Sequence, residues 1–195
     1  FCCAFARVRL PARRDLPTFL LIGFLGVAVY HTALNYGEVT VSAGAASFLI
    51  NTAPVFTALL AMPVLGERLR LWGWLGIALS LSGILVIVWG EGDGLSFDPN
   101  ALYIVLSALT ASVYMVVNKN LLRRYSALEA TTYTILGGTF FLLIFAPGLG
   151  TAIESAPRSA TIAAIYIGIF PAALAYATWA YVLARLPASQ TASFL

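Results

Sequence analysis

Long apolar runs, separated by short islands of charge, are the feature that most restricts what this chain can fold into. Of its 195 residues, 61% are hydrophobic and 10% are charged, whereas an average soluble domain carries about 25% charged residues. A soluble fold of this length needs more polar side chains to cover its core. About 20 apolar residues in a helix, at roughly 1.5 Å each, cross a hydrocarbon layer of about 30 Å. The chain is therefore predicted to fold in a membrane.

Six runs are long enough to span a bilayer. Each is predicted to be a helix, because an unclosed sheet would leave backbone groups unpaired in lipid. The predicted helices cover residues 17–36, 41–65, 71–89, 100–118, 127–147 and 160–184. Residues 1–6 would end an earlier helix, and residues 188–195 would begin a later one. Ser126 and Glu129 form a capping-box pattern at the start of the fifth helix, so the expected class is an all-α polytopic membrane protein.

Basic residues fall almost entirely on one side of this topology. If the spans alternate in direction, ten of the eleven Lys and Arg residues lie in loops on one side, and only Arg158 lies on the other. The positive-inside rule makes the ten-base side cytoplasmic. We expect a multi-pass protein of the cytoplasmic (inner) membrane. Its net charge of +3 follows from topology, and nucleic-acid binding is not needed to explain it.

The chain also matches itself at an offset of 146 residues. The matches are Ala46-Ser47-Phe48-Leu49 with Ala192-Ser193-Phe194-Leu195, Phe24 with Phe170, Tyr30 with Tyr176, and Thr32 with Thr178. Five predicted helices separate the two copies, and an odd number reverses the direction of the second copy through the membrane. This pattern is typical of the inverted-topology repeats of secondary transporters.

Motifs in the first half of the chain resemble the EamA-type proteins of the drug/metabolite transporter superfamily. They are Ala33-Leu34-Asn35-Tyr36, Val41-Ser42-Ala43-Gly44-Ala45-Ala46, Asn51-Thr52-Ala53-Pro54-Val55-Phe56 and Gly66-Glu67-Arg68-Leu69, followed by Trp72, Gly73, Gly76 and Gly83. Members of that family have ten helices in two inverted five-helix repeats, with both termini cytoplasmic. The resemblance implies that this chain is a fragment of such a ten-helix bundle.

On that template the chain divides into three parts. Residues 1–90 would be the C-terminal part of the first EamA repeat, from the end of helix 2 to helix 5. Residues 91–98 would be an external loop. Residues 99–195 would be the N-terminal part of the second repeat, from helix 6 to the start of helix 9.

The function expected from the resemblance is secondary transport of small metabolites or drug-like molecules by alternating access, with export as the favoured direction. A non-transporting membrane sensor or assembly partner is the alternative. An enzyme is not expected, because the sequence has neither a phosphate-binding glycine loop nor paired His residues with a Glu. No cofactor and no metal are expected, since the lone His31 cannot form a metal cluster by itself. The expected partners are a small-molecule substrate and the lipid bilayer, and homo-oligomerisation is left open.

Uncharged polar and aromatic residues at membrane depth are the candidates for a substrate cavity. His31 and Asn35 lie one turn apart, Thr110, Tyr114 and Asn118 form a stripe, and Tyr176 and Trp179 form another. Such groups are costly in hydrocarbon unless they are satisfied, so they should face the bundle interior. With Asn51 from the family motif, the cavity candidates are His31, Asn35, Asn51, Tyr114, Tyr176 and Trp179. Helix packing and interfacial anchoring are the alternative roles.

Three further motif residues are expected to be structural. Pro54 should kink or pack its helix, Gly66 should mark the helix end, and Glu67 should cap the following loop on the cytoplasmic side.

Overall fold

The computed structural model describes residues 9–90 and 98–192, and every regular element in these two ranges is helical. In chain order the helices are α1 (Leu16–Gly37), α2 (Ala43–Ile50), α3 (Ala53–Leu65), α4 (Leu71–Gly90), α5 (Ala101–Leu121), α6 (Ala127–Phe145), α7 (Leu149–Ser155), α8 (Arg158–Leu183) and α9 (Ala188–Ala192). The predicted helix at residues 1–6, most of the predicted loop at 91–98 and residues 193–195 lie outside the described residues.

Five of the six predicted spans are confirmed by length and composition. The segments α1, α2 with α3, α5, α6 and α8 are each long and apolar enough to cross a membrane. The sixth predicted span, α4, is also a helix, of 20 residues. Its stretch Leu71–Gly83 is apolar but is shorter than the other five spans. The chain is a multi-pass membrane protein.

The segment predicted as one helix over residues 41–65 is instead divided in two. The helix α2 ends at Ile50, and α3 begins at Ala53 with Pro54 in its first turn. Proline is accepted there because the first N–H groups of a helix have no partner within it. The side chains of the two turn residues reinforce the end of α2, because they donate to the same carbonyls that accept from their own backbone N–H groups. Asn51 Nδ2 donates to Ser47 O at 2.7 Å and Thr52 Oγ1 donates to Leu49 O at 2.6 Å.

Two spans contain a wide, π-helical stretch that the sequence did not predict. In α8 this stretch covers Gly168–Ala172 and includes Pro171, whose missing N–H interrupts the normal helical bonding. In α1 it covers Phe24–Val29. There Gly26 lies against the ring of Tyr114, where an added Cβ would come within 2.6 Å of Tyr114 Cγ. The wide turn of α1 and the lack of a side chain at Gly26 together allow the ring of Tyr114 to pack directly against the backbone of α1.

The central helix is α5, which packs against α1, α2 and α3. Two buried serines attach it to its neighbours. Ser107 Oγ donates to Tyr30 O at 3.0 Å, and Ser112 Oγ donates to Ala53 O at 2.9 Å. Small residues allow this close approach, and the hydroxyls add polar contacts between helices where lipid supplies no hydrophobic drive for association.

The segment before α1 and the loop after α5 meet at one end of the bundle. Arg124 Nη1 donates to both carboxylate oxygens of Asp15, at 2.8 and 3.1 Å, and Tyr125 Oη donates to the same carboxylate at 2.7 Å. We call the end that holds Asp15, Glu67, Lys119 and Arg124 the basic end. At the other end, Asn100 Nδ2 donates to Thr40 Oγ1 at 2.7 Å.

The predicted capping box of Ser126 and Glu129 is confirmed at the start of α6.

Candidate functional site

A cavity of about 390 Å³ lies between α1, the turn that joins α2 to α3, α5 and α8. Four spans therefore contribute to its wall. Its lining residues are Gly26, Tyr30, His31, Ile50, Ala53, Ala111, Tyr114, Met115, Ala175, Tyr176 and Trp179.

The polar centre of the cavity is a pair of side chains from α1 and α8. His31 Nε2 lies 3.2 Å from Tyr176 Oη, and both residues are partly buried. Which of the two atoms donates depends on the imidazole tautomer. The next turn of α8 brings Trp179 to the same wall. A hydrogen-bonding pair is thus placed beside a large aromatic surface.

Tyr114 closes one side of the cavity from α5. It is 5% exposed, and its Oη accepts a hydrogen bond from Asn118 Nδ2 at 3.1 Å. Asn118 lies behind Tyr114 and is fully buried. The amide therefore orients the phenol from outside the cavity.

The chemistry of the lining favours apolar and aromatic ligand groups that carry hydrogen-bonding atoms. None of the lining residues that the structure describes is Asp, Glu, Lys or Arg. An ionised group without a partner is costly to bury, whereas an apolar pocket with a few convergent polar atoms is the usual form of a small-molecule site. Residues 9–90 and 98–192 contain no group of three or more His, Cys, Asp or Glu side chains that could hold a metal ion.

Four of the six residues predicted for the cavity line it: His31, Tyr114, Tyr176 and Trp179. The other two lie elsewhere and bond their own helices. Asn35 is exposed and donates from Nδ2 to His31 O at 2.8 Å. Asn51 donates to the last turn of α2 and is not part of the lining.

The three residues predicted to be structural lie in and just after α3. Pro54 is buried in its first turn, and Gly66 ends it with a left-handed φ of 69°. Glu67 does more than cap the loop that follows α3, because it bonds a distant part of the chain. Its carboxylate accepts hydrogen bonds from the backbone N–H groups of Ala188 and Ser189, at the start of α9.

Sequence reasoning missed several lining residues, of which Tyr30 is the most informative. It matches Tyr176 at the 146-residue offset, and the two tyrosines line the same cavity from α1 and α8. That match was a usable signal. The sequence held no comparable signal for small lining residues such as Gly26, Ala111 and Ala175, because small apolar residues are common throughout membrane helices.

Comparison with known proteins places this fold among membrane transporters. The model of the EamA-like transporter family matches residues 1–89 and 99–195. A Bacillus subtilis (strain 168) protein named the uncharacterized transporter YdfC is 41% identical over 184 residues, which are 94% of this chain and 60% of that protein.

Two further relatives extend the comparison. A Streptantibioticus cattleyicolor protein named a probable terminal-alkyne amino-acid exporter is 41% identical, over 95% of this chain and 63% of its own length. An uncharacterized transporter of Archaeoglobus fulgidus is 32% identical, over 93% of this chain and 64% of its own length. The chain thus spans about 60% of the length of these relatives. A solved crystal structure shares the fold over 98% of this chain and 66% of its own, with a TM-score of 0.73 and 21% identity.

Proposed function

This chain belongs to the EamA-like transporter family, and we propose that it acts in a secondary transporter that moves small metabolites or drug-like molecules across the cytoplasmic membrane. The observation that carries the proposal is the cavity. Four spans surround it, and it brings His31, Tyr176 and Trp179 to one wall. A cavity of about 390 Å³ has the size of a small-molecule site.

Substrates with an apolar or aromatic portion and hydrogen-bonding groups fit this lining best. The aromatic rings would cover the apolar portion, and the pair His31–Tyr176 would bond a polar group. One relative at 41% identity is named a probable terminal-alkyne amino-acid exporter, so amino acids with short apolar side chains are tested beside uncharged compounds, which a lining without charged side chains favours. Export is the favoured direction.

Two inverted halves that rock about this cavity would supply alternating access. Tyr30 and Tyr176, which match at the repeat offset, line the cavity from α1 and α8. Their facing positions support an arrangement in which the two repeats contribute equivalent helices to one site. The basic end is proposed to be cytoplasmic, by the positive-inside rule.

The test is counterflow in proteoliposomes that contain the full-length protein. Radiolabelled amino acids, nucleosides and drugs would be screened for protein-dependent exchange. For any substrate found, Trp179→Ala and His31→Ala should each lower flux about tenfold or more, as expected when a buried ring contact or hydrogen bond worth about 1.5 kcal/mol is lost.

Trp72→Ala is the matched control, because Trp72 is 80% exposed on α4 and does not line the cavity. It should transport at the wild-type rate. Absence of flux for every compound, in a sample that is folded and reconstituted, would reject transport. Normal flux in both cavity variants would reject the cavity as the substrate site.

A further inference from the structure

The turn between α8 and α9, residues 184–187, is held by two charged side chains from other helices. We call it the α8–α9 turn. Glu67 reaches it from the end of α3, and Lys119 reaches it from the last turn of α5. Neither side chain lines the cavity.

Glu67 bonds the residues that follow the turn. Its carboxylate accepts hydrogen bonds from Ala188 N at 2.9 Å, from Ser189 N at 3.2 Å and from Ser189 Oγ at 3.0 Å. Hydrogen bonds to an ionised carboxylate are about twice as strong as those between neutral groups. A single side chain therefore attaches the start of α9 to α3.

Lys119 bonds the residues that precede and form the turn. Its Nζ donates to Leu183 O at 2.5 Å and also to Leu186 O. Leu183 O lies at the C-terminal end of α8, where helical carbonyl groups lack partners within the helix and attract a cation, and Leu186 O lies in the turn itself. Lys119 thus holds the residues on one side of the turn, and Glu67 holds those on the other.

The anchored turn lies directly beyond the cavity. On α8, the cavity residue Trp179 precedes Leu183 by four residues, and on α5 Met115 precedes Lys119 by four. Four helical residues rise about 6 Å. Leu183, Ala188 and Ser189 are buried, and α9 packs against α3 and α5. The turn and α9 thus lie at the basic end, about one helical turn beyond the cavity residues Trp179 and Met115.

From this geometry we propose that the α8–α9 turn is the gate at the basic end, and that Glu67 and Lys119 hold it closed. The inference rests on the proposed transport function and adds the residues that control access to its site. Opening the cavity toward the basic end requires the five hydrogen bonds of Glu67 and Lys119 to break together. The helix α8 also carries Tyr176 and Trp179, which line the cavity. A substrate that displaces these rings would therefore move the same helix that leads into the gate.

Accessibility of a cysteine in the cavity tests the gate without any substrate. In full-length protein with every native cysteine, Cys2 and Cys3 included, replaced by serine, Ala175→Cys would place a thiol in the cavity wall. A charged, membrane-impermeant thiol reagent would then be applied from one side of the membrane at a time, to vesicles of each orientation. Glu67→Gln should raise the labelling rate from the basic end about tenfold or more, since charged hydrogen bonds are lost, and Lys119→Met should change it in the same direction.

Glu38→Gln is the matched control, since Glu38 is an exposed carboxylate just after α1, at the opposite end of the bundle. It should leave labelling unchanged. Ser189→Ala removes only the hydroxyl donor to Glu67 and should give a smaller increase, which keeps the test open if Glu67→Gln fails to fold. Unchanged labelling in the gate variants would overturn the proposal. Equal increases from both sides would also overturn it, because they indicate general loosening. Altered labelling without flux of any compound would instead reject transport alone.

Discussion

Hydrogen bonding at the level of single residues separates packing groups from groups that face the cavity. Ser107, Thr110 and Ser112 donate to backbone carbonyls of their own helix, and the two serines also lie within hydrogen-bond distance of carbonyls of neighbouring helices. His31 and Tyr176 instead bond each other across the cavity. A substrate can exchange that bond for its own, whereas it cannot reach the serine contacts without separating helices. The pair is therefore available for binding without loss of the fold.

Asp15 provides a residue-scale prediction on pH. The hydroxyl of Tyr125 first, and then the guanidinium of Arg124, hold the pKa of the Asp15 carboxyl below its ordinary value. A lowered pKa in the folded state means that the carboxylate stabilises the protein above its ordinary pKa, about 3.9, and that this contribution is lost as pH falls toward the lower folded value. Asp15→Asn should lower the melting temperature by a few degrees at pH 7, and the difference from wild type should shrink below about pH 4.

Thermal unfolding of the detergent-solubilised protein across this pH range is the measurement. Arg124→Gln should produce a loss of the same kind, and the double variant should lose less than the sum of the two single losses because the side chains are in contact. Glu154→Gln, on the exposed part of α7, is the control. A deficit for Asp15→Asn that is constant from pH 7 to pH 3 would contradict the assignment.

At the scale of helices, α1 and α6 lie in close contact at Gly23 and Gly138. A Cβ added at Gly23 would lie 2.5 Å from Gly138 N and 2.6 Å from Thr134 O. These are backbone atoms, which cannot move aside as a flexible side chain can. Gly23→Ala should therefore force the helices apart and destabilise the protein by about 1–3 kcal/mol, the usual range for overpacking.

Gly150→Ala is the control for this prediction, because Gly150 lies in α7 and an added Cβ there meets nothing within 4 Å. Thermal stability in detergent, followed by size-exclusion chromatography after heating, would compare the two variants. Equal stability of Gly23→Ala and wild type would show that the contact between α1 and α6 is looser than the structure indicates.

For the whole molecule, the orientation in the membrane is the property to test. In a background in which serine replaces every native cysteine, Cys2 and Cys3 included, single cysteines would replace Ala184 near the basic end and Ser155 near the other end; both residues are exposed. An impermeant thiol reagent added to intact cells should label Ser155→Cys about tenfold faster or more, since the charge asymmetry favours a cytoplasmic basic end. The reverse pattern would invert the proposed topology.

The sequence alone determined the spans and the family. Hydropathy is a sum over neighbouring residues, so five spans could be placed from local composition. The capping box of Ser126 and Glu129 also predicted the start of α6 correctly. It also identified His31, Tyr114, Tyr176 and Trp179 as candidates, because polar and aromatic groups in lipid need an interior position. The family followed from motifs that are contiguous in the chain.

Only the tertiary structure decided which of these residues meet. Asn35 and Asn51 had the same polar character as His31, yet each bonds a carbonyl four residues before it, and a sequence pattern cannot tell a local bond from one across the bundle. The cavity is a gap between four spans, and the rotation of each span depends on close contacts such as Gly23 with Gly138 and Gly26 with Tyr114. Glu67 and Lys119 likewise read as ordinary loop charges, because their partners lie more than 60 residues away in the chain and only folding brings them together.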